Sequence, residues 1–304
     1  LFQFKDQFNL DRNIAMALQS FGGVHTGVKL EILMNYLHGY THVLKKQHFR
    51  TVFFDAFAGT GQIEIGDNRE SLFDVEASDS LMEGSASRAL GLREPFNAYI
   101  FVEKARRKAQ ELEKLKTQFP DLAERISIEC DDANAAHLKF CKTTNWSKTR
   151  AVVFLDPFGN HVVWSTLEII ARTRAIDLWY LFPAGLGVAR QISNKGEVHE
   201  SHVASLDNLL GTPEWRTHFI RTKQEPDLFG MAPPSHEKAV TANDVTDFMI
   251  GRMKTIFEGG VQNRWKRLGS RGVHMYSLIF ACANPSPLAY TKAMKIAASV
   301  LREK

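Results

Sequence analysis

Five short stretches that read as strands each stop at an acidic or glycine-rich residue, and helical stretches separate them. Thr51 to Phe54 gives way to Asp55 and a small-residue turn carrying Gly59 and Gly61. Ala98 to Val102 ends at Glu103, and Arg125 to Cys130 ends at Asp131-Asp132-Ala133-Asn134. Ala151 to Leu155 ends at Asp156-Pro157-Phe158-Gly159-Asn160, and Ile176 to Phe182 ends at Pro183-Ala184-Gly185. Strands alternating with helices predict a parallel sheet, and the C-terminal ends of its strands share one edge, where open α/β sheets bind ligands. One acidic strand end is most often the N-cap of the next helix. Four in register mark that edge as the candidate site.

The turn after Asp55 is the first part of it. Glycine lacks a Cβ and takes φ > 0, so such a loop lets backbone lie flush against a ligand. Asp55 would accept hydrogen bonds from an ammonium or a hydroxyl and would repel a pyrophosphate, which favours a cofactor such as S-adenosylmethionine. A nicotinamide dehydrogenase would need GxGxxG spacing, whereas Gly59-Thr60-Gly61 is followed by Gln62, Ile63 and Glu64. Glu103 stands where a carboxylate usually grips a ribose diol. Asp132 is placed to accept from an adenine N6 amine while a backbone N–H serves N1. In Glu83-Gly84-Ser85-Ala86-Ser87, Ser85 is expected to cap a helix whose free N–H groups would hold a carboxylate or phosphate.

Three parts are expected along the chain: an N-terminal helical extension (1–50), a core (51–183 and 259–304), and a helical insertion or cap (184–258). A long helix over His25 to Lys46 carries an apolar stripe of Leu30, Leu33, Met34, Leu37 and Tyr40. The polar stretch Gln62 to Met82 reads as an exposed loop and candidate lid. Within 184–258, helices are expected at His202 to Leu210, Pro213 to Arg221 and Asn243 to Phe257, around a Pro-rich loop at Pro226 to Pro234. Arg190, Lys195 and Arg216 are placed there to meet phosphates or to be solvated. Strands at Val261 to Leu268 and His274 to Ala283 flank a GSRG turn and must be antiparallel; a helix from Pro287 to Leu301 closes the sequence. The expected architecture is a Rossmann-like class I methyltransferase fold, a seven-stranded, mostly parallel sheet with a C-terminal antiparallel hairpin and a helical insertion.

Among 304 residues, 44% are hydrophobic and 24% charged, proportions of a soluble globular protein. No segment approaches the roughly 20 apolar residues a bilayer span needs, and the opening LFQFKDQFNLDRN has no signal-peptide pattern, so no membrane partner and a cytoplasmic location are expected. A formal charge of +4 permits a nucleic-acid partner without arguing for one. Cys130, Cys141 and Cys282 lack CxxC spacing and are expected to be buried thiols. His38 and His42, four apart, have no third ligand nearby, so no metal site is expected.

Taken in order, Asp-x-Phe-Ala-Gly-x-Gly (Asp55 to Gly61), Gly84-Ser85-Ala86, Phe101-Val102-Glu103, Asp132-Ala133-Asn134 and Phe154-Leu155-Asp156-Pro157-Phe158-Gly159 resemble the three-Cys-motif partner proteins. Trp164, Ile176-Asp177-Leu178-Trp179, Phe182-Pro183 and the lysine helix Lys29 to Leu37 fit the same pattern, so the resemblance covers nearly the whole chain. It implies a bacterial or phage-associated, S-adenosylmethionine-dependent methyltransferase, genomically paired with a cysteine-motif protein. It also implies that Asp55, Phe57, Ala58, Gly59 and Gly61 cradle the methionine part of the cofactor, Glu103 the ribose, and Asp132 with Ala133 the adenine. Asp156, Pro157 and Phe158 would stand beside the transferable methyl. Read from the residues alone, Ser85 and Arg190 are the candidate substrate contacts. Amino-methyltransferases of nucleic acid carry Asp-Pro-Pro-Tyr or a similar tetrapeptide, in which Asp and a Pro carbonyl hold the amine and the aromatic stacks on a flipped base. Here Phe158 takes the place of the second Pro and Gly159 that of the aromatic. Two readings follow: a methyltransferase acting on nucleic acid or a partner macromolecule, or an interaction module that keeps the cofactor fold with little or no methyl transfer.

Overall fold

The computed structural model describes residues 24–60, 62–63, 82–224, 226–227, 230–231, 235–270 and 272–302. Its main sheet has seven strands: β1 (Arg50–Asp55), β2 (Ala98–Val102), β3 (Ile126–Glu129), β4 (Thr149–Leu155), β5 (Ile176–Phe182), β6 (Lys266–Ser270) and β7 (Val273–Cys282). Their spatial order is β3-β2-β1-β4-β5-β7-β6. β1 to β5 pair in parallel, and β7 runs antiparallel to both β5 and β6. The chain builds outward from β1 to one side, then returns to build β4 and β5 on the other, which places a topological switch point between β1 and β4. This is the class I methyltransferase arrangement of a Rossmann-like sheet, in agreement with the sequence.

Ten helices are described: α1 (Val24–Leu44), α2 (Ser85–Leu90), α3 (Arg106–Leu112), α4 (Lys114–Gln118), α5 (Ala133–Thr143), α6 (Trp164–Arg172), α7 (Glu200–Leu210), α8 (Trp215–Phe219), α9 (Ala242–Lys254) and α10 (Pro287–Val300). One sheet face buries Phe53, Phe101, Phe154 and Trp179 against Leu33, Tyr36 and Leu37 of α1 and Ala297 of α10. The other buries Val52, Phe54, Val153 and Tyr180 against α5, α6, α7 and α9. Burial on both faces is why the central strands β1, β4 and β5 read as mainly apolar runs instead of alternating ones. Each fully buried aromatic contributes roughly 1.5–3 kcal/mol of transfer free energy, so a one-residue slip of any central strand would be heavily penalised.

Several boundaries differ from expectation for local reasons. The charged helix over Ala105 to Phe119 is interrupted at Glu113 and ends at Gln118, two residues before Pro120, whose ring disfavours helical backbone in the residue ahead of it. The expected strand from Val261 shortens to Lys266–Ser270; Val261 keeps only an isolated bridge to Ala281, and the register shifts between Leu268 and Gly269. The helix expected over Pro213 to Arg221 stops at Phe219, and Ile220–Lys223 continues as a strand paired with Ser235–Lys238.

Described residues of the 184–258 segment share the sheet's core: Leu206, Trp215, Phe219 and Met249 belong to the same buried cluster as Phe54 and Tyr180. Its opening turn, Ala184–Val188, lies so close to β7 that a Cβ on Gly185 would stand 1.8 Å from the His274 carbonyl oxygen. No side chain fits there. On the opposite face, the Tyr36 hydroxyl donates to Asp177 Oδ2 at 2.6 Å and ties α1 to β5.

Residues 1–23 lie outside the described residues, as does most of the candidate lid; its ends, Gln62–Ile63 and Met82–Glu83, pair antiparallel. Of the Pro-rich loop, Pro226–Asp227 and Gly230–Met231 are described, as another short antiparallel pair. Cys141 and Cys282 are buried, whereas Cys130, expected buried, is exposed at the end of the edge strand β3. No helix among the described residues is long and apolar enough to cross a membrane.

Candidate active site

A cavity of about 490 Å³ opens at the C-terminal edge of the sheet, and the loops after β1 and β4 meet in it. Phe57, Ala58, Gly59 and Thr60 form one wall, and Asp156, Pro157 and Phe158 form another. Lys29 of α1, Ser85 at the start of α2 and Tyr276 of β7 complete its rim.

The first wall is set by Asp55, which is fully buried behind the loop. Its Oδ1 accepts from the Phe57 amide at 3.1 Å and its Oδ2 from the Ser85 hydroxyl at 2.5 Å. Burial pushes the carboxyl up to about 7, against the lowering effect of these two donors. Asp55 therefore shapes the loop from behind, where the sequence had placed it against the methionine part of a cofactor. The Ser85 reading is corrected likewise: Gly84 is the N-cap, and the Ser85 hydroxyl is bound to Asp55. The Ala58 amide donates to Val102 O at 3.0 Å, joining the loop to β2. Gly59 has φ +63°, and a Cβ there would meet nothing within 4 Å, so its backbone faces open cavity. Gly61 lies outside the described residues.

Glu103 and Asp132 stand at the ends of β2 and β3 on the same edge, outside the lining of this cavity. Glu103 Oε1 accepts from the Ala105 amide at 2.7 Å. Asp132 is the N-cap of α5, accepting from the Asn134 amide at 3.0 Å. Burial alone would raise its pKa, but donors at Asn134, Ala135 and Lys104 outweigh it and hold the carboxyl below the usual range. Ala133 is buried in the first turn of α5. Asn134 binds the next loop: its Nδ2 donates to His161 O at 2.8 Å, and its Oδ1 accepts from Val163 N and from Thr166 Oγ1.

At the second wall, Lys29 Nζ donates to Asp156 Oδ2. The Tyr276 hydroxyl donates to the Phe158 carbonyl at 3.3 Å. Burial, with the Asp156 charge, holds the Tyr276 hydroxyl above its ordinary pKa, so it stays a donor. Phe158 itself is 87% exposed, an aromatic ring presented at the mouth of a polar-rimmed cavity. Asn160 closes the turn, donating to Gly187 O at 2.7 Å and Ser205 Oγ at 3.2 Å.

Lys29 and Tyr276 were not assigned roles from sequence. Lys29 had a signal: at i, i+4, i+7 and i+11 it shares the buried stripe of Leu33, Tyr36 and Tyr40, and a lysine on such a stripe implies a carboxylate facing it. Arg190 is exposed on the turn Ala189–Gln191 and does not line the cavity, so the structure does not bring it to the site. Arg216 is held by both oxygens of Asp207 at 2.8 and 2.9 Å and lies over Trp215, so it is engaged in a structural pair. Lys195 is exposed.

No protein-family model matches the chain, and no curated protein matches it. Among solved structures, a Legionella pneumophila protein is 12% identical over 78% of this chain and 93% of its own, with a TM-score of 0.40. Magnesium protoporphyrin IX methyltransferase from Synechocystis, in complex with S-adenosylmethionine, is 9% identical over 71% of this chain and 82% of its own, with a TM-score of 0.30. The same enzyme with S-adenosylhomocysteine gives 9% identity, 71% and 85% coverage, and a TM-score of 0.31. These are loose likenesses at low identity.

Proposed function

We propose that the chain is an S-adenosylmethionine-dependent methyltransferase whose acceptor is an amine of a nucleic acid, presented at Asp156-Pro157-Phe158. The carrying observation is that one cavity is lined both by the open glycine turn after β1 and by this tripeptide after β4, flanking the switch point of the sheet. The open space over Gly59 supports the fit of the cofactor's methionine part along Phe57 to Thr60, with Glu103 and Asp132 held for ribose and adenine on the same edge. When bound, the cofactor supplies an electrophilic methyl on a sulfonium.

The chain's own residues position the acceptor. Asp156 Oδ1 and the Pro157 carbonyl accept the two N–H groups of the amine, which aims its lone pair along the line of transfer; the rate gain is mainly orientation. Asp156 then offsets the positive charge that develops on nitrogen. The exposed ring of Phe158 stacks on the extruded base, taking the part that a following aromatic plays in the Asp-Pro-Pro-Tyr pattern. By the resemblance of its motifs, the chain is a three-Cys-motif partner protein, bacterial and cytoplasmic, and its genomic partner is a cysteine-motif protein.

One feature favours the second reading, an interaction module with little or no transfer: Lys29 pairs with Asp156, the residue that would receive the acceptor. Titration calorimetry with S-adenosylmethionine and S-adenosylhomocysteine, on the wild type and on Glu103→Ala, tests the first. Micromolar binding weakened by roughly 1–3 kcal/mol in the variant is expected; no binding would remove the mechanism. Asp156→Ala separates the readings, because it should abolish transfer while cofactor affinity holds.

A further inference from the structure

A second cavity, of about 260 Å³, opens at the opposite edge of the sheet, where β4 and β5 begin and β7 ends, between α1 and α10. Its sides are apolar, formed by Leu44, Ala293 and Ile296 among others, but its inner wall is not. Asp177 is 8% exposed; it accepts from the Tyr36 hydroxyl, and the Cys282 thiol and the Arg150 charge also favour its ionised form, although no ion pair reaches it among the described residues. The Tyr40 hydroxyl, on a residue 7% exposed, has no hydrogen-bond partner among the described residues. Burying an unsatisfied hydroxyl beside a carboxylate that faces an empty space costs stability unless something polar enters to meet it.

The mouth has the opposite character. Lys292 is exposed there, and the half-buried Arg150 guanidinium lies 3.8 Å over the Phe49 ring, held by the Trp146 and Thr149 carbonyls. The cavity therefore runs from hydrogen-bond acceptors at its depth, through apolar walls, to cations at its opening. A purely apolar molecule would leave the Tyr40 hydroxyl unmet and add nothing to Asp177, and a plain organic cation would be opposed by Arg150 and Lys292.

We propose that this cavity binds a small, flat aromatic amine carrying an anionic group, with the amine donating to Asp177 and Tyr40 and the anion held by Arg150 and Lys292. Burial raises Asp177 to about 6, so near neutrality it is an ionised acceptor. The volume admits one or two rings. Two sources share this chemistry, an aminoaryl carboxylate and an aminopurine nucleotide. The site is independent of the cofactor cavity, although α1 and β5 reach both: Lys29 and Leu181 line one, Tyr36 and Asp177 the other.

The test is titration calorimetry with 4-aminobenzoate and with adenosine 5′-monophosphate, under saturating S-adenosylhomocysteine to occupy the upper site. Asp177→Asn and Ala289→Phe are the variants; the second fills the cavity from α10 without touching its polar groups, and thermal melts check that each is folded. Binding of at least one probe to the wild type is expected, about tenfold or more weaker in each variant, with benzoate likewise about tenfold weaker than 4-aminobenzoate. Binding of 4-aminobenzoate alone identifies the carboxylate source, and of the nucleotide alone the phosphate source. Absence of binding by both at millimolar concentration, binding that survives Ala289→Phe, or benzoate matching 4-aminobenzoate would overturn the proposal. If Asp177→Asn fails to fold, Ala289→Phe and the benzoate comparison decide it.

Discussion

Lys29 of α1 donates to Asp156 at the end of β4, an ion pair between residues 127 apart in sequence. Both side chains are largely shielded, 16% and 21% exposed, so the pair is worth more than a solvated surface bridge. It holds Asp156 through Oδ2, and in the proposed mechanism Oδ1 meets the incoming donor. Lys29→Met should lower stability to urea by about 1–3 kcal/mol, the range for a hydrogen bond to a charged group with its partner left behind. It should reduce transfer while changing cofactor affinity by no more than about threefold, since Lys29 stands on the acceptor side; Lys29→Arg should restore most of both. A Lys29→Met protein with wild-type stability and turnover would mean the pair does not position Asp156.

Phe158 separates stability from binding. Its ring is 87% exposed, so Phe158→Ala should change unfolding free energy by no more than about 0.5 kcal/mol. Loss of base stacking should weaken binding of single-stranded oligonucleotides by about 1–3 kcal/mol. Fluorescence anisotropy at fixed salt measures it, and equal affinities would take nucleic acid out of the acceptor assignment.

What was legible in the sequence is what local chemistry writes. Thr51 to Phe54 could only be a buried strand, and its abrupt stop at Asp55 announced the loop. The order of acidic strand ends placed one sheet edge, and the glycine turn before His274 placed the antiparallel strand. Tertiary partners were not legible. Ser85 looks like an N-cap because serine usually is one, but Gly84 takes that position and frees the hydroxyl for Asp55, thirty residues away. Arg216 looks like a phosphate ligand until the fold sets Asp207 beside it. The helix through Pro213 ends early because Ile220 to Lys223 finds a strand partner in Ser235–Lys238, and no local propensity encodes that pairing.

Gly59 carries φ +63° over open cavity, so adding a Cβ collides with nothing but strains the backbone. Gly59→Ala should therefore cost about 1–2 kcal/mol of stability from the left-handed conformation alone. The new methyl projects into the space above the loop, so cofactor affinity should fall as well, by about tenfold or beyond. Calorimetry beside urea denaturation gives both numbers; equal affinity with reduced stability would place the cofactor away from this turn.

Asp55 gives the stability curve a direction. Its carboxyl is raised by burial from 3.8 to about 7, so the folded protein holds the proton more tightly than the unfolded chain does. Stability from this group is fully present below about pH 4 and is lost as pH rises through 7, by about 4 kcal/mol at roughly 1.4 kcal/mol per unit. Asp177, raised to about 6, adds a slope of the same sign that ends lower. His137, held down to about 4 by burial, and His274, also lowered, act oppositely, because the unfolded chain takes up their protons first as pH falls. The difference between wild type and Asp55→Asn cancels these other groups. Asparagine can still accept from Phe57 N–H through Oδ1 and donate to the Ser85 hydroxyl through Nδ2, while it has no proton to lose. Urea unfolding at half-unit steps from pH 4 to 8 should show the wild type losing stability relative to Asp55→Asn from about pH 4 and the difference levelling off above about pH 7. Parallel curves would mean that Asp55 is ionised across this range, with its charge met by more than the two hydrogen bonds that reach it.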